Sequence, residues 1–179
     1  MNTALFEKTA RHPRVFRAQT HERTSVIRLM QLEHRTIVTL LHECRILLSA
    51  GDTAFAYVLA LEASEEIQRH LRMDARVIRH YARDALHLET FNRRQRIDLQ
   101  MQQLLSDLQG WNQSDDAEGR SNFQALVHLF YQHVKLEEGP IIHQLACADL
   151  DWAQLQRDFL QCKEELSKEV IVVADNMTC

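Results

Sequence analysis

Apolar residues recur along this chain at alternating steps of three and four, and four stretches carry the pattern far enough to predict bundle helices. The first runs from about Thr24 to Ser49, with Ile27, Met30, His34, Ile37, Leu41, Cys44 and Leu48 on one seam. Gly51 suits its C-terminal cap and Asp52 the N-cap of the next helix. That second helix runs from Thr53 to about Tyr81 on Ala56, Leu59, Ala63, Ile67, His70, Asp74, Val77 and Tyr81. A third, from about Ala85 to Leu108, turns His87, Phe91, Met101, Leu105 and Leu108 inward. A single helix across 53–108 would span ~80 Å, too long for one domain, so a turn is expected near Arg79–Asp84. After a loop at Gln109–Ser114, Ser114 or Asp115 caps a fourth helix whose seam is Phe123, Leu126, Phe130, His133, Glu137, Ile141 and Leu145. Pro140 should kink or end it. A fifth helix, about Asp151 to Val170, carries Trp152, Leu155, Phe159, Cys162 and Leu166 on one face.

The expected fold is therefore all-α: an up-down-up-down four-helix bundle over 24–148, a basic N-terminal arm over 1–23, and a C-terminal helix and tail over 149–179 packed on the bundle. Four Gly and two Pro in 179 residues agree, since a β-rich chain needs turn residues often. No apolar run is long enough to span a membrane, and the first twenty residues lack the apolar core of a signal peptide. The cysteines Cys44, Cys147, Cys162 and Cys179 form no close pair, which suggests a reducing compartment, the cytoplasm.

Polar residues interrupt these seams at particular places. His34, His70, Asp74, His87, His133 and Glu137 fall on the stripes that should face the bundle interior, and they come from all four helices. Buried imidazoles and carboxylates are costly unless paired or bound to a metal. One such residue is usually a hydrogen-bonded core histidine; six together point to a metal site. His70-x-x-x-Asp74 and His133-x-x-x-Glu137 are both i, i+4 pairs, one turn apart on one helix face. Counted from the first turn, His34 and His70 lie ~23 and ~27 Å along their helices, nearly level. Four imidazoles and two carboxylates without thiolate suit iron, manganese or zinc. Two ions bridged by Asp74 and Glu137 would keep coordination positions free for dioxygen, peroxide or nitric oxide.

The segment Leu32-Glu33-His34-Arg35-Thr36-Ile37, His70-x-x-x-Asp74, His87 and His133-Val134-Lys135-Leu136-Glu137-Glu138 together resemble the hemerythrin-like HHE cation-binding family over roughly residues 25 to 147. The resemblance implies a non-heme di-iron centre in an up-down-up-down bundle, with oxygen binding or sensing, iron handling or a stress response as its role. Two departures stand out. Asp74-Ala75 replaces the usual Glu-Glu, and the third helix has no His-x-x-x-His pair, which argues against a reversible oxygen carrier.

The alternative is a regulatory protein-interaction bundle with a degenerate or single-ion site. A ferritin-like centre fits poorly, since only Asp84-x-x-His87 resembles its Glu-x-x-His element. Arg69, Arg72, Arg76, Arg79 and Arg83 make a basic stripe without the interleaved aromatic residues of a nucleic-acid platform. It reads as a solvated face, with a homodimer contact to the acidic C-terminal region as its other use. Nothing supports nucleophilic catalysis, and whether the chain is an enzyme is left open. His80 and His143, each ten residues after the first His of its pair, read as surface or turn residues, with spare ligands or supporting partners as the other use; His42 and His128 lie off the seams and read as non-ligands.

Overall fold

A computed structural model describes residues 13–83, 85–109 and 117–177, with side chains over 21–83, 85–109 and 117–169. Every regular element among these residues is helical: α1 (Pro13–Ala50), α2 (Thr53–Met73), a π turn (Asp74–Ile78), α3 (Arg79–Ala82), α4 (Leu88–Leu108), α5 (Ala117–Leu136), a second π turn (Glu137–Ile141), α6 (Ile142–Cys147) and α7 (Trp152–Met177). None is long and apolar enough to cross a membrane.

The reversal between α1 and α2 follows from Gly51, whose φ of 82° suits a residue without Cβ. Gly51 N–H donates to the carbonyl of Leu48 and Asp52 N–H to that of Leu47, which closes α1 with a Schellman pair. The Asp52 carboxylate then accepts from Phe55 N–H at 3.2 Å and starts α2. These small devices bring α1 against α2, while α4 packs against α5.

The seams of α1, α2, α5 and α7 lie close to where periodicity puts them. Met30, His34, Ile37, Leu41 and Cys44 are buried on α1; Phe123, Leu126, Phe130 and His133 are buried on α5. Trp152, Leu155, Phe159, Cys162 and Leu166 are buried where α7 lies on α1 and α2. Burial pushes the Cys44 thiol up to about 12, and it donates to the carbonyl of Ala56. Three polar ties reinforce the α7 contact. Tyr81 hydroxyl donates to Asp158 at 2.6 Å, Gln156 to Ser25 at 3.0 Å, and Lys163 to Glu33 at 2.9 Å.

Some expectations change, the inter-helix turn keeps its place, and others fall outside the described residues. Residues 13–23 belong to α1 rather than to an arm, and residues 1–12 lie outside the described ones. The turn between the second and third helices falls after Ala82, and α4 starts at Leu88; Asp84, the expected cap, is not among the described residues. Nor are Ser114 and Asp115. Pro140 does not end its helix, which continues through Ile142–Cys147. It lacks the N–H that an α turn would use, and the chain widens into a π turn in which Ile142 N–H reaches back five residues to the carbonyl of Glu137. The second helix does the same at Asp74–Ile78, with Arg79 N–H bonding the carbonyl of Asp74. Each π turn therefore opens on one of the two seam carboxylates.

The basic stripe finds its acidic partner within the chain. Arg72 and Arg76 reach Glu169 of α7 at 3.5 and 3.2 Å, and Arg69 reaches Glu66 at 3.1 Å. Arg72, Arg76 and Glu169 are about half exposed, so these pairs orient α7 more than they stabilise it.

Candidate metal centre

His34 from α1, His70 from α2, and His133 with Glu137 from the α5 side meet in the bundle interior. One donor atom of each lies within 4.8 Å of all the others. All four are buried, at 3% exposure or less. The ring nitrogens divide by role. His34 Nδ1–H donates to Glu138 at 2.8 Å, His133 Nδ1–H to Asp98 at 3.0 Å, and His70 Nδ1 lies 3.4 Å from Glu33. A carboxylate only accepts, so it holds the proton on Nδ1 and leaves the Nε2 lone pair free.

Those three Nε2 atoms converge. His70 Nε2 and His133 Nε2 are 3.0 Å apart. Glu137 Oε2 lies 3.2, 3.7 and 3.5 Å from the Nε2 atoms of His34, His70 and His133. An ion that holds such donors at roughly 2.0–2.1 Å sets neighbouring donors ~3.0–3.4 Å apart, close to this spacing. His34 Nε2 and both oxygens of Glu137 are buried without a hydrogen bond. Converging lone pairs and a buried carboxylate need a cation, and the donor set of three nitrogens and one oxygen fits one metal ion. Phe130, one turn before His133, has its ring 6.0–6.2 Å from the three imidazoles and closes that side with apolar surface.

Without a metal, protons take part of that role. Burial opposes charge on His133, but the carboxylates of Glu137 and Asp98 outweigh it and raise the imidazole to about 10. His34 is also raised: burial opposes it, and Glu137 and Glu138 win. Burial lowers His70, against the pull of Glu33 and Glu137. Glu137 is held well below the usual carboxylate range, since His133 and Arg94 overcome its burial.

The family model for the hemerythrin HHE cation binding domain matches residues 25–145, and this span includes every residue that converges on the site. The chain belongs to that family. No curated protein and no solved structure matches it.

As a hemerythrin-family chain it departs from expectation on its third long helix. His87 does not join the group. It is exposed, with extended backbone (φ −63°, ψ 138°), and stands as N-cap of α4. Its N–H donates to Gln144 at 2.8 Å, and its carbonyl accepts from Phe91. Because the helix begins only at Leu88, residue 87 loses the helical phase that put it on the seam. The buried polar residues of α4 are instead Arg94 and Asp98.

Asp74 is buried as expected, but its partner is the guanidinium of Arg94. Arg94 also lies 3.0 Å from Glu137 Oε1 and 3.9 Å from Asp98. Burial raises the Asp74 carboxyl well above its usual range, with Glu137 adding to it and Arg94 opposing. Asp74 Oδ2 approaches His133 Nε2 to 3.8 Å, at the margin of the four-donor group. Glu137 thus faces two ways, Oε2 toward the three imidazoles and Oε1 toward the guanidinium.

Sequence reasoning missed Arg94, Asp98, Glu33 and Glu138. The first two carried a signal: stepping back from Leu108 by threes and fours gives Leu105, Met101, Asp98 and Arg94. Glu33 and Glu138 each adjoin a seam residue and reach across to the imidazole of another helix. His42, His80, His128 and His143 are exposed and take no part.

Proposed function

We propose that this protein is a non-heme metal-binding helical bundle that holds iron through His34, His70, His133 and Glu137 and binds or senses a small oxidant or diatomic such as dioxygen, peroxide or nitric oxide, in a stress-response role. In this reading the bundle takes the family's up-down-up-down course, with α7 as the addition, and works in the cytoplasm. The observation that carries it is the convergence of three lone-pair nitrogens on one buried carboxylate oxygen, each imidazole held from behind by a separate carboxylate. Glu33, Asp98 and Glu138 fix ring orientation and strengthen the nitrogens as donors. Phe130 keeps one side of the group dry. A bound iron would supply an electron-accepting site with positions to spare for a small ligand; zinc or manganese satisfies the same donors without changing the protein's part.

A second reading, a regulatory module built around a single ion, is favoured by the tie from His70 through Glu33 to Lys163 on α7, which joins a ligand to the outermost helix. The two readings share their first test. Protein purified without chelator, or reconstituted anaerobically with ferrous iron, should contain at least one metal ion per chain, and His133→Ala should contain almost none while keeping its helical circular dichroism. A wild-type chain that stays metal-free after reconstitution would overturn both.

A further inference from the structure

An expected pair of ions needs two cation positions, and the chain itself fills one of them. Three carboxylates from three segments surround Arg94: Asp74 is hydrogen-bonded to its Nη2, Glu137 Oε1 lies 3.0 Å away, and Asp98 Oδ2 lies 3.9 Å from its Nε. The side chain is 4% exposed, so the guanidinium is a buried permanent cation. It occupies Glu137 Oε1, the oxygen that faces away from the imidazole nitrogens and that a second ion bridged by this carboxylate would have to use. A guanidinium neutralises buried carboxylates much as a divalent ion would, but it offers no coordination position.

We propose that the metal centre is mononuclear by construction, with Arg94 as the fixed second cation and Glu137 bridging it to a single metal ion. This rests on the metal-binding reading above and narrows it. The oxygen donors round Arg94 come from Asp74, Asp98 and Glu137, a hard set suited to ferrous iron, manganese or magnesium once the guanidinium is gone. Asp74 Oδ1 is buried without a hydrogen bond, so one acceptor there is unsatisfied even with Arg94 in place.

The test is the number of ions per folded chain. Wild type, Arg94→Ala and Arg94→Lys are reconstituted anaerobically with excess ferrous iron or manganese, desalted, and analysed for metal. Wild type should hold one ion. Arg94→Ala should rise to two, and Arg94→Lys, which keeps a cation, should stay at one. Two ions in wild type, or one in a folded Arg94→Ala, would overturn the proposal while the metal-binding reading stands. No metal in any of the three would overturn both. A readout on wild type alone guards against a variant that does not fold. Oxidised iron-loaded protein should show a high-spin ferric electron paramagnetic resonance signal of about one spin per chain, whereas a silent, coupled pair of irons would refute a single ion.

Discussion

Metal uptake at this centre should be driven by pH, because metal and proton compete for the same lone pair. His133 is raised from 6.5 to about 10 by the carboxylates around it. A raised imidazole stabilises the folded state while it keeps its proton. That contribution is whole below about pH 6.5 and is lost as pH climbs through about 10. At about 1.4 kcal/mol per tenfold change, the shift corresponds to ~5 kcal/mol, an upper bound because Glu137 is shared among three imidazoles. His34, also raised, acts with the same sign. Metal-free protein should therefore lose denaturant stability steadily between pH 6.5 and 9. Apparent metal affinity should rise by about tenfold per pH unit over the same window, because each ion bound expels at least one proton. Urea titrations of metal-free protein and competition with a chromogenic chelator, both at half-unit steps, measure the two arms. A metal-free stability that is flat or rises with pH, together with a pH-indifferent affinity, would refute the reasoning.

Two substitutions probe the site's margins. Asp98→Asn leaves an acceptor for His133 Nδ1 but removes the charge behind it, so metal affinity should fall by about 10- to 100-fold in chelator competition, with little change in helix content. His87→Ala should leave the metal content of the purified protein unchanged, since that imidazole stands exposed at a helix start; loss of an ion would put His87 back among the ligands.

How far the sequence reached can be judged residue by residue. His34, His70, His133 and Glu137 were legible because each interrupts an otherwise apolar seam, and burial of a polar residue is visible in a periodic pattern. Asp74 was legible as buried but not as the partner of an arginine, since a guanidinium that crosses from α4 to α2 leaves no trace in the local period. Arg94 sits among Arg93 and Arg96, and in such company its charge argued for the surface although its phase argued for the core. His87 shows the converse: its phase was right, but a seam has meaning only inside the helix, and α4 starts one residue later. The carboxylates behind His34 and His70 were beyond reach, because Glu138 and Glu33 act across helices at positions where periodicity predicts nothing.

The two π turns leave a numerical trace. His70, Asp74, Ile78 and Ala82 are all buried, and so are His133, Glu137, Ile141 and Leu145, each run separated by three consecutive steps of four. In an unbroken α-helix each step of four overshoots a full turn by ~40°, so three of them would carry the last residue ~120° round the cylinder and out of the core. Both runs stay inside because the wide turn within each absorbs the excess rotation. A buried stripe that keeps to fours, where bundles alternate fours with threes, thus marks a helix that has taken in an extra residue. In this chain both marks begin on an imidazole of the centre and pass through a carboxylate beside it.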